Sequence, residues 1–156
     1  MFPPQFLVVD RICSGVDVTS KKRLLQALAE LLAQGDGALA KEAIFERLTE
    51  RERLGSTGLG HGIALPHSRM REVGEARSAF IQLRQGIDYD AIDNQPVDLA
   101  LALLVPENAN ETHLQLLSAL AAMFSDERLR RELRSAASAQ EILTLVETWE
   151  GRLRST

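Results

Sequence analysis

Cysteine and long apolar runs are scarce in this chain of 156 residues. A single cysteine, Cys13, excludes an intrachain disulfide and is typical of a protein in a reducing compartment. No apolar run approaches the roughly 20 residues needed to cross a bilayer, so membrane insertion is not expected. The first residues carry no basic segment before an apolar stretch, which predicts no signal peptide. We therefore expect a cytoplasmic protein.

Clustered positive charge is also missing. The net charge is -4 and the basic residues are scattered, whereas nucleic-acid binders carry a basic stripe, so nucleic acid is not an expected partner. The single cysteine, the lack of an HExxH motif and the lack of a close histidine pair argue against a metal. No GxSxG motif supports a serine hydrolase. We expect neither a metal nor another cofactor.

The apolar residues that are present follow regular periods over a length suited to one domain, residues 1–156. Thr19 or Ser20 can cap a first helix, and residues 38–50 predict a second helix. The expected inward residues of these two helices are Leu24, Leu25, Leu28, Leu31 and Leu32, then Ala40, Ile44, Phe45 and Leu48. Alternation predicts a strand over residues 78–84, and a nearly continuous apolar run predicts a doubly buried strand over 97–105.

The last third of the chain predicts three helices. Their expected N-caps are Asn110, Ser125 and Ser138, the last in a capping box with Glu141. Their expected inward residues are Leu114, Leu117, Leu120, Ala121 and Phe124, then Leu129 and Leu133, then Ile142, Leu145, Val146 and Trp149. Residues 151–156 are predicted to form a loose tail. Helices, then strands, then helices predict an α/β domain whose sheet is covered on both faces.

The segment GSTGLGHGIALPH, residues 55–67, is the most informative part of the chain. Its glycines allow backbone amides to approach an anion closely. Pro66 fixes the backbone immediately before His67, so this imidazole is expected at a stiff corner. A loop able to hold an oxyanion beside a nitrogen nucleophile suggests phosphoryl transfer. The residues assigned to this phosphate-site loop are Thr57, Gly58, Gly60, His61 and Gly62.

Two other histidines accompany His67. His61 lies inside the glycine segment, and His113 falls near the third position of the helix expected to begin at Asn110. The helix dipole at that position disfavours a protonated ring and lowers the pKa of His113. On pattern alone, a glycine-rich segment is more often a flexible turn than an anion-binding loop, and a lone histidine is usually a polar surface residue or a satisfied hydrogen-bond partner. Phosphoryl transfer is one interpretation among these.

Residues 51–67 closely resemble the active-site signature of the IIA components of the mannitol/fructose class in the bacterial phosphotransferase system. Residues 17–23, 91–99 and 103–106, followed by His113-Leu114, resemble the nitrogen-regulatory branch of that class. The similarity runs in register from about residue 7 to residue 149. It implies a single α/β domain with a mixed sheet of about five strands and helices on both faces.

The resemblance also implies roles for three residues. His67 matches the histidine that takes a phosphoryl group from a small phosphocarrier, here a nitrogen-type relative of the general histidine phosphocarrier. His113 matches a second active-site histidine that supports the phosphoryl group, and Arg51 matches an arginine suited to steadying phosphate charge. His61 departs from the pattern, which has asparagine there, and we interpret it as a tolerated loop residue. Ser68-Arg69 replaces the commoner glycine and basic pair, and the basic residue is kept.

The function expected from the resemblance is a phosphoryl-accepting regulator that signals through its phosphorylation state. Family behaviour implies regulated protein targets in potassium transport or sensor-kinase control. Two alternatives stay open at this point. The chain can be a sugar-transport IIA domain that passes phosphate to a fructose- or mannitol-type IIB, or a binding module in which His67 takes no phosphate.

Overall fold

The computed structural model describes residues 2–154, which form a six-stranded sheet and five α-helices. A short 3-10 turn, Val9–Arg11, precedes the first strand. The strands are β1 Ile12–Val16, β2 Gly58–Gly60, β3 Ile63–Ala64, β4 His67–Met70, β5 Arg77–Ile87 and β6 Val97–Pro106. The helices are α1 Lys21–Leu32, α2 Lys41–Arg53, α3 Asn110–Phe124, α4 Glu127–Ser135 and α5 Ala139–Arg154.

The sheet is mixed, with the strand order β1-β5-β6-β3-β2 and β4 paired to β6 beyond β3. β5 runs antiparallel to β6, whereas β3 and β4 both run parallel to it. β3 and β4 are therefore two successive pieces along one edge of β6, separated by Leu65 and Pro66. This division explains why the sheet has six strands where the sequence predicts about five.

Helices cover both faces of the sheet, as predicted. α1 and α2 pack on one face, against a cluster that includes Ala79, Ile81 and Ala100. α3, α4 and α5 pack on the opposite face, against a cluster that includes Leu99 and Leu101. Every residue of β6 from Leu99 to Val105 is buried, which confirms the doubly buried strand. The predicted strand over residues 78–84 is also confirmed and extends further, to Arg77–Ile87.

The helix caps are correct at two sites and wrong at two others. Ser20 Oγ accepts from the Arg23 amide at 3.1 Å, and Ser138 Oγ accepts from the Glu141 amide at 3.2 Å. The cap of α4 is Asp126 rather than Ser125, because the Asp126 carboxylate accepts from the Leu129 amide. α3 has Ala109 as its N-cap and begins at Asn110, whose side chain binds an arginine instead of the helix end.

The predicted inward faces of two helices need correction. α2 begins at Lys41, so Ala40 precedes the helix and is exposed, and Leu39 is buried in its place. In α3, Leu114 and Ala121 are exposed and the buried residues are His113, Leu116, Leu120, Met123 and Phe124. The inward position of the first turn belongs to a histidine, which hydrophobic periodicity cannot recognise. Residues 151–154 are helical rather than a loose tail, and residues 155–156 lie outside the described residues.

Candidate functional site

His67 lies at the point where the interrupted edge strand resumes. It is the first residue of β4 and pairs with Leu103 of β6, whose amide donates to the Pro66 carbonyl at 2.9 Å. Pro66 therefore joins β3 to β4 without leaving the sheet, although it has no amide of its own to donate. The His67 side chain is half-buried at this step. The stiff corner predicted at Pro66 is thus a break within a paired edge.

The hydrogen bonding of His67 fixes which ring nitrogen is nucleophilic. His67 Nδ1 lies 2.8 Å from the Leu65 carbonyl oxygen, which can only accept, so Nδ1 carries the proton. The lone pair of the neutral ring is therefore on Nε2. Burial lowers the pKa of His67 below 6.5, and the Arg51 cation acts in the same direction, while the bond to Leu65 and the Glu52 charge oppose them. The ring is thus neutral and nucleophilic near pH 7.

His113 faces His67 from the first turn of α3. The two ring centroids are 5.3 Å apart with an interplanar angle of 70°. His113 Nδ1 accepts a hydrogen bond from Arg69 Nε at 3.1 Å, and His113 Nε2 is buried without a partner among the described residues. Burial lowers the pKa of His113 to about 4, and neighbouring positive groups, Arg69 and Arg51 among them, add to this shift.

Two arginines supply positive charge around the histidine pair. Arg51, in the last turn of α2, donates from Nη1 to the Gly55 carbonyl at 3.0 Å and influences the pKa of both histidines. Arg69, in β4, donates to His113 and to the Asn110 side chain. Neither guanidinium has a carboxylate partner among the residues the structure describes. Their charge is available to an anion held between the rings.

Arg69 was missed as a site residue by the sequence analysis, although a signal for it exists. Alternate residues of a strand lie on one face of the sheet, so Arg69 shares a face with His67. Met70, the next residue after Arg69, packs on the opposite face with α1 and α2. A strand beginning at His67 would therefore have predicted Arg69 on the face that carries His113.

Thr57 and Gly58 lie close to the site but their polar groups serve the fold. The Thr57 amide and hydroxyl both donate to the Glu52 carboxylate, and its hydroxyl oxygen is 3.1 Å from the Tyr89 hydroxyl. The Thr57 carbonyl accepts from the Leu65 amide. A Cβ on Gly58 would lie 2.7 Å from Ala91 Cβ, so glycine is required there for packing. The structure gives Thr57 a buried internal role.

The tip of the glycine loop, residues 60–62, is not brought to His67. Ile63 pairs with Leu99 and His67 with Leu103, four residues apart, which corresponds to about 13 Å along β6.

The polar groups of that tip are also engaged elsewhere. The His61 amide donates to the Asp93 carboxylate, and the His61 carbonyl accepts from Arg134. His61 has a left-handed backbone, φ 57°, a conformation that asparagine tolerates better than most residues. The structure therefore does not bring Gly60, His61 and Gly62 together with His67.

Within residues 2–154, no group of three or more histidine, cysteine, aspartate or glutamate side chains could hold a metal ion. In the same residues no helix is long and apolar enough to traverse a bilayer. The side chains at the site provide a defined set of chemical groups. This set consists of one nucleophilic imidazole nitrogen, one neutral N–H donor and two unneutralised guanidinium groups, an arrangement suited to accepting a phosphoryl group.

The fold and the histidine pair define an IIA component of a phosphotransferase system. Residues 5–149 match the family described as "Phosphoenolpyruvate-dependent sugar phosphotransferase system, EIIA 2", and the chain belongs to that family.

Within the family, the chain is similar to nitrogen regulatory proteins. It is 44% identical over 147 residues to the "Nitrogen regulatory protein" of Escherichia coli (strain K12), covering 92% of this chain and 90% of that protein. It is 44% identical over 142 residues to the protein of the same description from Pseudomonas aeruginosa, covering 91% and 92%.

A solved structure of the nitrogen regulatory protein IIA-Ntr from Neisseria meningitidis has the same fold. The TM-score is 0.85 at 42% identity, with 90% of this chain and 96% of that chain covered. IIA mannitol from Escherichia coli is more distant, with a TM-score of 0.75 at 25% identity and coverage of 89% and 97%.

Proposed function

We propose that this protein is a phosphoryl-accepting regulator of a nitrogen-type phosphotransferase system and that His67 Nε2 carries the phosphoryl group. The observation that supports this most directly is the pair of edge-on histidines, each anchored through Nδ1 by a protein group. Anchoring of this kind leaves both Nε2 atoms out of the anchoring hydrogen bonds. The phosphoryl donor we propose is a nitrogen-type histidine phosphocarrier protein, and we propose that the transfer takes place in the cytoplasm.

The proposed transfer moves one phosphoryl group between two imidazoles. The lone pair on His67 Nε2 attacks phosphorus, a P–N bond forms there, and the P–N bond of the carrier phosphohistidine breaks. The electron pair of the broken bond returns to the carrier imidazole, which leaves as a neutral ring because its other nitrogen carries a proton. His67 keeps its Nδ1 proton, so the newly phosphorylated ring is a cation that donates to the Leu65 carbonyl. The charge of the phosphoryl oxygens is stabilised by Arg51, by Arg69 and by the N–H of His113. Transfer of this type depends mainly on positioning and charge neutralisation.

Exposed leucine and isoleucine side chains offer a docking surface for the carrier. Leu114 directly follows His113 and is 66% exposed, and Leu54 follows Arg51 by three residues and is 84% exposed. Ile92, which adjoins the Ala91 that packs on Gly58, is 82% exposed. Exposed apolar residues near a reactive centre are typical of protein docking sites. A protein donor fits this surface better than a small molecule.

A regulatory role is favoured over sugar transport by the pattern of similarity. The nitrogen regulatory relatives are matched over about nine-tenths of their length. A fructose-specific EIIABC component of Bacillus subtilis is 30% identical, and this chain spans 22% of that protein. We propose that the phosphorylation state of His67 selects protein targets, with potassium transport and a sensor kinase as the first candidates to test.

Incubation with a phosphorylated nitrogen-type carrier tests the proposal. We expect one phosphate per chain, labile in acid and stable in alkali, on wild type and none on His67→Ala. The matched control is His61→Ala, because His61 lies at the loop tip and its side chain is exposed. This control should be labelled like wild type.

Two results would contradict the proposal. An unlabelled wild type beside a competent carrier would favour the binding module. Onward transfer to a sugar-specific IIB at a rate matching transfer from the carrier would favour a sugar-transport IIA.

A further inference from the structure

Arg69 forms hydrogen bonds with both His113 and Asn110. Arg69 Nε donates to His113 Nδ1 at 3.1 Å, and Arg69 Nη1 donates to the Asn110 side-chain oxygen. Asn110 begins α3 and His113 stands one turn later on the same helix. These two hydrogen bonds therefore join β4, which carries His67, to the first turn of α3.

The chemistry of the donor decides the state of the His113 ring. A guanidinium has five N–H donors and no acceptor, and it keeps its charge at every pH of interest. His113 Nδ1 must therefore be the unprotonated nitrogen, and in the neutral ring the proton is on Nε2. That N–H is buried and has no partner among residues 2–154. An unpaired buried donor is costly, and an incoming phosphoryl oxygen would satisfy it.

We infer that Arg69, held by Asn110, is a positioning residue that sets the Nε2–H tautomer of His113 and aligns this N–H for the phosphoryl group on His67. This inference rests on the proposed phosphorylation of His67 for its functional half. Its structural half concerns only the tautomer of the unphosphorylated protein.

The position of Asn110 supports this role. Asn110 is the first residue of α3 and follows the N-cap Ala109, so its side chain does not serve as the helix cap. Its oxygen is instead occupied by Arg69. Because this oxygen accepts from Arg69 Nη1, Asn110 contributes to the orientation of the guanidinium. The planar fork of arginine can bind both partners at once, whereas a lysine ammonium offers no such fixed geometry.

The tautomer is measured by long-range ¹H–¹⁵N NMR of the histidine side chains at pH 7.5. Wild type is expected to show His113 as the Nε2–H form. Arg69→Met retains length but removes the donors, and should give a mixture of tautomers. Asn110→Ala should give a smaller shift in the same direction. The matched control is Arg71→Met, since Arg71 is an exposed arginine of the same segment whose ion pair to Glu107 spans 4.0 Å at the surface.

The functional half is measured as the hydrolytic lifetime of phosphorylated His67. We expect Arg69→Met to shorten this lifetime about tenfold, from loss of an aligned hydrogen bond to a charged group and of the guanidinium itself. Arg69→Lys retains the charge without the fork and should recover less than half of the loss on a logarithmic scale. Arg71→Met should match wild type.

Each part of the inference has its own contrary result. An Nδ1–H tautomer in wild type, or no change of tautomer in Arg69→Met, would overturn it even if His67 is phosphorylated normally. An unchanged lifetime in Arg69→Met would overturn the functional half. Failure of wild type to accept phosphate would instead defeat the proposed function, and the tautomer result would stand apart from that failure.

Discussion

Thr57 can act on the phosphoryl group, as the loop pattern predicts, or it can stabilise the fold through buried hydrogen bonds. Thr57→Val distinguishes these two roles. The Thr57 hydroxyl donates to the Glu52 carboxylate and lies 3.1 Å from the Tyr89 hydroxyl. Because a carboxylate can only accept, the threonine proton points to Glu52, and Tyr89 donates to the threonine oxygen. Glu52 also binds Lys21 at 2.9 Å with its own side chain only 5% exposed.

The expected loss of stability follows from those two bonds. Valine has nearly the shape of threonine, so packing is retained and only the hydroxyl is removed. The lost hydrogen bond from Thr57 to the Glu52 carboxylate contributes about 1.5–3 kcal/mol, and the Tyr89 hydroxyl, which also interacts with Glu52, loses its bond to the threonine oxygen, worth about 0.5–1.5 kcal/mol. We expect the free energy of unfolding to fall by about 3 kcal/mol. For a chain of this size, that corresponds to a Tm lower by about 6–12 °C.

The measurement is urea unfolding together with the rate of phosphoryl transfer at a temperature where the variant is fully folded. Thr49→Val is the matched control, because Thr49 Oγ1 is buried and has no hydrogen-bond partner among the described residues. The same substitution there should leave stability unchanged or raised by up to about 1 kcal/mol. The transfer rate of Thr57→Val should stay within about threefold of wild type.

Two results would refute this reasoning. If folded Thr57→Val transferred phosphate tenfold more slowly, the hydroxyl would be acting on the phosphoryl group, as the sequence pattern suggests. If Thr57→Val and Thr49→Val unfolded alike, the network with Glu52 and Tyr89 would contribute nothing to stability.

Three further predictions concern packing and pH. Gln82→Leu should lower the free energy of unfolding by about 3 kcal/mol, because the Gln82 side-chain amide joins β1 to the carbonyls at the end of α4. Gln85 is exposed, so Gln85→Leu should not have this effect. Equal denaturant midpoints for the two variants would contradict the prediction. Gly58→Ala should cost about 1–3 kcal/mol by collision with Ala91, and Ala91→Gly should restore only part of the lost Tm, because the new Cβ would lie 2.7 Å from Ala91 Cβ and also 2.8 Å from Ala91 Cα; an unchanged Tm in Gly58→Ala would contradict this. The phosphoryl-transfer rate should fall on acidification with a midpoint below pH 6.5, because burial lowers the pKa of His67 and a protonated ring cannot attack phosphorus. The carrier must be shown to be competent at each pH. A midpoint at or above pH 6.5 would contradict this prediction.

The fold was largely predictable because its core follows simple periods. Leu24 and Leu28 on α1 and the alternation of β5 are signals that local patterning transmits without tertiary knowledge. The short strands β2 to β4 were not recognised as such, since two to four residues are too few for any period. Their strand character comes from pairing with β6 and with one another, which is a long-range property.

The site was predictable only where chemistry is carried by residue type. His67 and His113 were singled out from the chain, and the structure brings their rings to 5.3 Å. The glycines were a poor guide to the site. A glycine indicates an unusual backbone conformation or a close contact, but the sequence does not identify the group that it contacts. Gly58 packs on Ala91 and Gly62 on Arg134, so neither glycine is explained by an anion. Hydrogen-bond partners between distant segments leave no periodic trace.

The protonation state of His113 depends on whether His67 carries a phosphoryl group. Phosphorylation brings about two negative charges to His67. A cation about 4 Å away would contribute roughly 4 kcal/mol per unit charge at an effective dielectric near 20, whereas a neutral N–H contributes about 1.5–3 kcal/mol. In the unphosphorylated protein, burial lowers the pKa of His113 to about 4, and the charges of His67, Arg69 and Arg51 add to this shift, so the ring is neutral when a phosphoryl group arrives at pH 7. The negative charge on phosphorylated His67 acts in the opposite direction and raises the pKa of His113, so phosphorylation of His67 and protonation of His113 are coupled.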